Sequence, residues 1–252
     1  MELVTERIKV SVVSYVNSYP FIYGLQNHSV SERIDLTLDN PADCAKKLIS
    51  GEVDLGLVPV AIIPLLNQAN VVTKLCIGAD GPVETVSLFS DVPLIEIEEV
   101  LLDYQSRTSV KLVQMLADKY WKISPKWVKA SDKFLSKIGG KTAAVVIGDR
   151  AFGLKDKFRY EIDLSEEWKK HTGLPFVFAC WVSNKPLPAE FLEVFENALT
   201  FGLNNKATAI NFFATANQES LVRYVERKIS YNLDDKKLEA MKLFHDWLSI
   251  QT

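Results

Sequence analysis

Residues 34–58 read IDLTLDNPADCAKKLISGEVDLGLV, and they decide the fold class. Residues 34–38 form a strand pattern. Asn40 then stands where a helix needs a cap, Pro41 takes the first helical position, and Asp43 favours the positive end of the helix dipole. Ala42, Ala45, Leu48 and Ile49 share one face, and Gly51 suits the C-terminal stop. Residues 54–58 (DLGLV) are a second strand, closed by Pro59. A strand–helix–strand unit of this length predicts parallel strands joined by a right-handed crossover.

Working outward, residues 8–13 (IKVSVV) are a buried strand. Residues 83–90 (VETVSLFS) alternate as a strand, with Thr85, Ser87 and Phe89 on one side. Residues 100–103 are a short strand. A helix over 106–119 carries Val110, Val113, Leu116 and Ala117 on one side. Residues 143–147 (AAVVI) and 176–182 (FVFACWV) are buried strands. From Pro188 the pattern is helical, ending in a helix over 234–250. No repeat, low-complexity segment or Pro/Gly/Ser linker interrupts the chain. The order predicts a two-lobed α/β protein whose chain crosses near Ser90 and returns near Val182. The first lobe is then residues 1–90 plus 183–252, with the last helices on it, and the second is 91–182. A single doubly wound sheet is the alternative.

The chain has 252 residues, 48% hydrophobic and 24% charged, which suits a globular core. Lys plus Arg is 29 and Asp plus Glu is 32, a net charge of −3 that speaks against a nucleic-acid partner. Cys44, Cys76 and Cys180 are too scattered for a disulfide framework or a zinc site. The N-terminus, MELVTERIKVSVVSYVNSYPF, does not follow the pattern of a secretory leader, and no apolar run reaches membrane-spanning length. The expectation is a cytoplasmic protein with no membrane partner.

Ligands of open α/β sheets bind beyond the carboxyl ends of the strands. That rule selects residues 14–20 (SYVNSYP), the stretch after Pro59, residues 104–109 (YQSRTS) and the GDRA after Ile147. YQSRTS opens a helix, where unpaired N–H groups attract anions. Ser106, Thr108 and Ser109 could cradle a carboxylate with Arg107 beside them. The alternative is an ordinary Ser cap with a solvated Arg. For SYVNSYP, with Ser14, Tyr15 and Asn17, the alternative is a self-satisfied turn. Gly148 and Asp149 read equally as ligand contacts or as a plain turn. Gly51, Gly56 and Gly148 build no dinucleotide or phosphate loop. No G-x-S-x-G elbow occurs, His28, His171 and His245 miss the strand-end loops, and Cys180 falls inside a buried strand. Composition and pattern alone reach a small-anion-binding α/β protein.

Seven segments carry a further signal in this order: SYVNSYPF, PADCAKKLISGEVDLGLVPV, GPVETVSLFS, DYQSRTSVKL, AAVVIGDRA, EEWKKHTGLPFVFACWV and RKISYNL. Together they resemble the MqnA family, the chorismate dehydratases of the futalosine route to menaquinone, over about residues 8–248. The resemblance implies a type II periplasmic-binding-protein-like fold, two lobes around a central ligand cleft, serving as a cytoplasmic enzyme. It implies loss of water from chorismate to give 3-[(1-carboxyvinyl)oxy]benzoate, with no cofactor and no metal. The Asn of the family's S-Y-x-N motif is Asn17 here. The Ser of its G-x-V-x-S-V motif is replaced by Thr85, which keeps the hydroxyl but stiffens the rotamer. Ser14, Tyr15, Ser106, Arg107, Thr108, Ser109, Gly148 and Asp149 are the expected substrate contacts.

The chemistry suits a chain with few acid–base groups on these loops. Elimination removes the C3 proton and the C4 hydroxyl of chorismate and leaves an aromatic ring, so positioning carries much of the catalysis. The substrate's own enolpyruvyl carboxylate is the expected proton acceptor. Competing readings are a solute-binding protein for a small carboxylate, which would normally carry a leader or lipoprotein Cys, and the related 1,4-dihydroxy-6-naphthoate synthase. SYVN with SRTS favours the dehydratase. A transcription-factor effector domain lacks residues for a DNA-binding helix pair. The oligomeric state is not legible.

Overall fold

A computed structural model describes residues 7–250. Residues 1–6, part of the stretch read for a leader, lie outside the described residues. The chain runs β1 (Ile8–Val13), α1 (Tyr19–Asn27), β2 (Ile34–Asp39), α2 (Pro41–Ser50), β3 (Leu55–Pro59), β4 (Asn70–Ala79), β5 (Val86–Ser90) and β6 (Glu99–Leu102). It continues through α3 (Thr108–Leu116), β7 (Lys126–Lys129), β8 (Thr142–Ile147), β9 (Tyr160–Asp163), α4 (Leu164–Thr172) and β10 (Phe176–Ser183). The remainder is α5 (Ala189–Asn204), α6 (Lys206–Phe213), α7 (Gln218–Arg227), β11 (Ser230–Asn232) and α8 (Asp235–Ile250).

Two compact units result. The first holds the described residues up to Ile77 together with Ala179–Leu233, and the second holds Gly78–Phe178 and the described residues from Asp234 onward. One sheet has the order β11-β4-β10-β3-β1-β2 and the other β7-β6-β8-β5-β9.

In the first unit β1 pairs in parallel with both β2 and β3, as the strand–helix–strand pattern requires. Asn40 Oδ1 accepts from the N–H groups of Ala42 and Asp43, both at 3.0 Å, and Gly51 ends α2 at φ 74°. Helices α1 and α5 touch at two glycines. A Cβ on Gly24 would collide with the Ala198 carbonyl, and one on Gly202 with the Pro20 carbonyl. This contact seats α1, and with it the loop that leads from β1.

In the second unit β6 pairs in parallel with β7 and β8, and β5 lies antiparallel between β8 and β9. Phe89, Leu101, Phe134, Ala144 and Val146 form a buried cluster on this sheet.

The unit boundaries differ from the sequence reading at three points. The first crossing falls at Ile77/Gly78, not near Ser90, because β5 is built into the second sheet. The return falls at Phe178/Ala179, inside β10 and short of Val182, because the stretch from Ala179 to Ser183 pairs with β3 of the first sheet. The last helix belongs to the second unit. Phe244 of α8 lies edge-on to Trp168 and Phe176, and Trp247 Nε1 donates to Asp118 at 3.1 Å.

Two element ends also move. The strand read over 83–90 starts at Val86, because Val83 and Glu84 give their N–H groups to the Asp163 carboxylate and Glu84 adopts φ 66°. The helix read over 106–119 stops at Leu116 and continues as a wide turn over Ala117–Trp121. Strands β4, β7, β9 and β11 carry no pattern strong enough to be read alone; β7 (KWVK) sits at an edge with its lysines exposed.

Candidate functional site

The carboxyl ends of β1, β2 and β3 lie together, since the three strands are parallel neighbours. Ser14 begins the loop after β1 and gives its N–H to the Asp39 carbonyl at the end of β2, 2.9 Å away. The Asp39 side chain anchors that corner. It accepts from Lys47 Nζ at 2.8 and 2.9 Å, from Ser11 Oγ at 2.8 Å and from Thr37 Oγ1 at 2.9 Å. Burial works against its charge, but Lys47, Ser11 and Thr37 outweigh burial and hold the carboxyl below its ordinary range. Cys44 lies beside Ser11, and burial pushes its thiol up to about 12, so it is an inert apolar neighbour.

Asn17 sits in a single 3-10 turn, Val16–Ser18, that precedes α1. The turn is too short to fix a side chain by itself, and two tethers do so. The buried Ser18 hydroxyl donates to Asn17 Oδ1 at 3.1 Å, and Tyr231 Oη donates to the Asn17 main-chain carbonyl at 2.9 Å. With Oδ1 held, Nδ2 is the end of the amide left over, and among the described residues nothing accepts from it. Asn17 is half-buried, so this donor is reachable. Ser14 is exposed and Tyr15 half-buried on the same loop.

The second unit gathers its candidates at one end of its sheet. Parallel β6 and β8 end side by side, and antiparallel β5 begins there, with Val86 opposite Ile147. Gly148 N–H donates to the Thr85 carbonyl at 2.9 Å, and Thr85 is buried. Gly148 has φ 67°, a region that suits glycine. Asp103 joins the two neighbouring loops. Its buried carboxylate accepts from Gln105 N–H, Ile147 N–H and Arg150 Nη2, the last at 2.7 and 2.8 Å. The Arg150 guanidinium also lies over the rings of Tyr104 and Phe134.

Asp163 fixes the residues before Thr85. One oxygen accepts from Val83 and Glu84 N–H at 2.9 and 2.7 Å, and the other caps α4 through Ser165 and Glu166 N–H. Burial pushes this carboxyl up to about 6 against the pull of the four donors.

The YQSRTS loop differs in detail from the sequence reading. Ser106 Oγ accepts from Ser109 N–H at 3.1 Å, which is the ordinary capping role. Arg107 is exposed and turns its guanidinium onto the carbonyls of Tyr104 and Ser106. Thr108 Oγ1 is buried and donates to the Phe178 carbonyl at 3.0 Å. Its proton is therefore engaged within the protein. Ser109 Oγ has no hydrogen-bond partner among the described residues. Thr108→Val is accordingly expected to cost about 1–3 kcal/mol of stability and to leave KM for an anionic substrate unchanged. Urea unfolding and steady-state kinetics check this, and a raised KM with unchanged stability would return Thr108 to the ligand.

Asp149 is half-buried and Gly148 is buried at the start of the Gly148–Leu154 turn. His171 is exposed and stacks on Tyr120, His28 is half-buried at the bend just after α1, and His245 is half-buried on α8. All three cysteines are buried, and none forms a disulfide. Among the described residues no group of His, Cys, Asp and Glu could hold a metal ion, and no helix is long and apolar enough to cross a membrane. Asp39, Asp103, Asp163 and Tyr231 had no signal of their own in the sequence, and Ser18 had only its place in the SYVNSYP loop. Asp103 and Tyr231 lie in two of the seven ordered segments, but short-range spacing says nothing of their partners.

Comparison with known proteins gives a family and a fold. A family model described as menaquinone biosynthesis matches residues 8–249. A chorismate dehydratase of Thermus thermophilus is 28% identical over 183 residues, 65% of this chain and 67% of that protein. A crystal structure of an Archaeoglobus fulgidus protein superposes with TM-score 0.78 at 13% identity, covering 99% of both chains. A Candida albicans protein described as having the generic periplasmic binding protein fold superposes with TM-score 0.64 at 13% identity, over 98% of this chain and 91% of that one.

Proposed function

This chain belongs to the menaquinone biosynthesis family, and from that premise we propose that it is a chorismate dehydratase. Its product is 3-[(1-carboxyvinyl)oxy]benzoate. The observation that carries the reading is the Asn17 amide, held at Oδ1 and at its main-chain carbonyl so that Nδ2 is left as a donor. The similarity to a chorismate dehydratase supports the choice of substrate.

Asn17 Nδ2 donates to the C4 hydroxyl of the substrate as it departs. The C3–H bond breaks, its electron pair becomes the new ring double bond, and the C4–O bond breaks. The substrate's enolpyruvyl carboxylate takes the C3 proton and hands it to the departing hydroxide, which leaves as water, and the aromatic product supplies the driving force. Thr85 contacts the substrate through its hydroxyl in the role of the family's serine. Ser109 Oγ and the N-terminal N–H groups of α3 hold a carboxylate, where the helix dipole favours negative charge. Ser14, Tyr15, Gly148 and Asp149 complete the contacts. The setting is the cytoplasm, and neither nucleic acid nor membrane takes part.

Purified, chelator-treated protein is expected to convert chorismate to a product lighter by one water, with a new benzoate absorbance. A second reading has a specific observation behind it, the shared fold with binding proteins. Tight chorismate binding without turnover would establish that reading and reject the enzyme.

A further inference from the structure

We propose that Tyr231 is the positioning residue for Asn17: its hydroxyl holds the Asn17 main-chain carbonyl and so aims the Asn17 amide at the leaving hydroxyl. The inference rests on the assignment of Asn17 made above.

The geometry is specific. Tyr231 lies in β11, the three-residue strand at the edge of the first sheet, beside β4. Leu233 N–H donates to the Lys74 carbonyl at 2.8 Å and closes that edge. The ring is buried edge-on against Phe21, with centroids 5.4 Å apart, and Lys206 Nζ lies 5.6 Å over it. These contacts leave the phenol little freedom, and its oxygen meets the Asn17 carbonyl at 2.9 Å across 214 positions of sequence. Helix α7, just before β11, packs on the Val16–Ser18 turn. Burial, with a smaller contribution from Tyr224, raises Tyr231 well above the ordinary tyrosine range. The phenol therefore stays protonated and remains a donor at physiological pH.

Two main-chain hydrogen bonds define the three-residue turn, Ser18 N–H to the Tyr15 carbonyl at 2.8 Å and Tyr19 N–H to the Val16 carbonyl, and both lie within the turn itself. Ser18 Oγ sets the rotation of the amide, and Tyr231 sets the height of the backbone that carries it. Removing the phenol oxygen lets the turn shift while the ring still fills its place. A displacement of about 1 Å at a catalytic group costs on the order of a hundredfold in rate.

The test is Tyr231→Phe in wild-type and Asn17→Ala backgrounds, with chorismate as substrate. In the wild-type background kcat is expected to fall about tenfold to a hundredfold, with KM and the far-ultraviolet spectrum unchanged. In the Asn17→Ala background the same change should lower kcat no further, because the group it positions is gone. Equal losses in both backgrounds, an unchanged kcat, or an unfolded Tyr231→Phe protein would overturn the proposal, since a merely structural tyrosine gives those results. If Asn17→Ala is fully active, the assignment of Asn17 fails and this inference fails with it. If Asn17→Ala is impaired and Tyr231→Phe is not, only the positioning role fails.

Discussion

Asn17→Asp is expected to lower kcat/KM for chorismate about a hundredfold to a thousandfold, the scale of losing one donor to developing negative charge. The substitution is nearly isosteric. Ser18 Oγ can still donate to one carboxylate oxygen, as it does to Oδ1 now. The other oxygen then stands where Nδ2 stands, and it accepts where the amide donates. The loss has two parts. A hydrogen bond to an oxygen that gains charge is removed, which is worth about 1.5–3 kcal/mol. A new negative charge also faces a substrate with two carboxylates. The parts separate by salt, because screening weakens the repulsion and leaves the missing donor unchanged. Raising salt should therefore recover part of the Asp variant's KM and nothing of the Asn17→Ala variant's kcat. Wild-type kcat/KM in Asn17→Asp would remove the residue from the chemistry.

The largest expected effect on stability is at Asp103. Its carboxylate is buried and serves Gln105 N–H, Ile147 N–H and Arg150 together. Asp103→Ala removes the acceptor and leaves the Arg150 charge partly buried without its carboxylate. Breaking a buried pair from one side costs about 3–5 kcal/mol. Arg150→Met in the same background should restore part of the loss, because the stranded charge is then gone and a chain of similar volume lies against Tyr104 and Phe134. Urea unfolding of the single and double variants measures both steps. A single-variant loss under about 1 kcal/mol, the range of an exposed pair, would mean that water replaces the carboxylate at little cost. Activity should fall with stability, since Asp103 ties the loop after β6 to the loop after β8.

The α/β class, the β2–α2–β3 unit and the strand-end loops were legible because they rest on neighbours in sequence. Asn40, Pro41 and Gly51 act within one helix, and the alternation of apolar residues acts within one strand. The ordered segments likewise reached the family, since they record residue type and order. The boundaries between the units were not legible, because they depend on which sheet β5 joins and on which core receives Phe244 and Trp247. Neither choice leaves a mark in local periodicity.

The same division runs through the candidate site. The sequence by itself determined which loops follow the parallel strands, and that Asn17, Thr85 and the serines of YQSRTS lie on or beside them. Only the tertiary structure decided which polar atoms of those residues are still available. Thr108 Oγ1 is engaged by the Phe178 carbonyl and Arg107 by its own loop, whereas Asn17 Nδ2 and Ser109 Oγ have no acceptor or donor among the described residues. A hydrogen bond closes between groups within about 3 Å, whatever their separation along the chain. The partners of Asn17, Thr85 and Asp103 come from Tyr231, Gly148 and Arg150, which only folding brings within that distance.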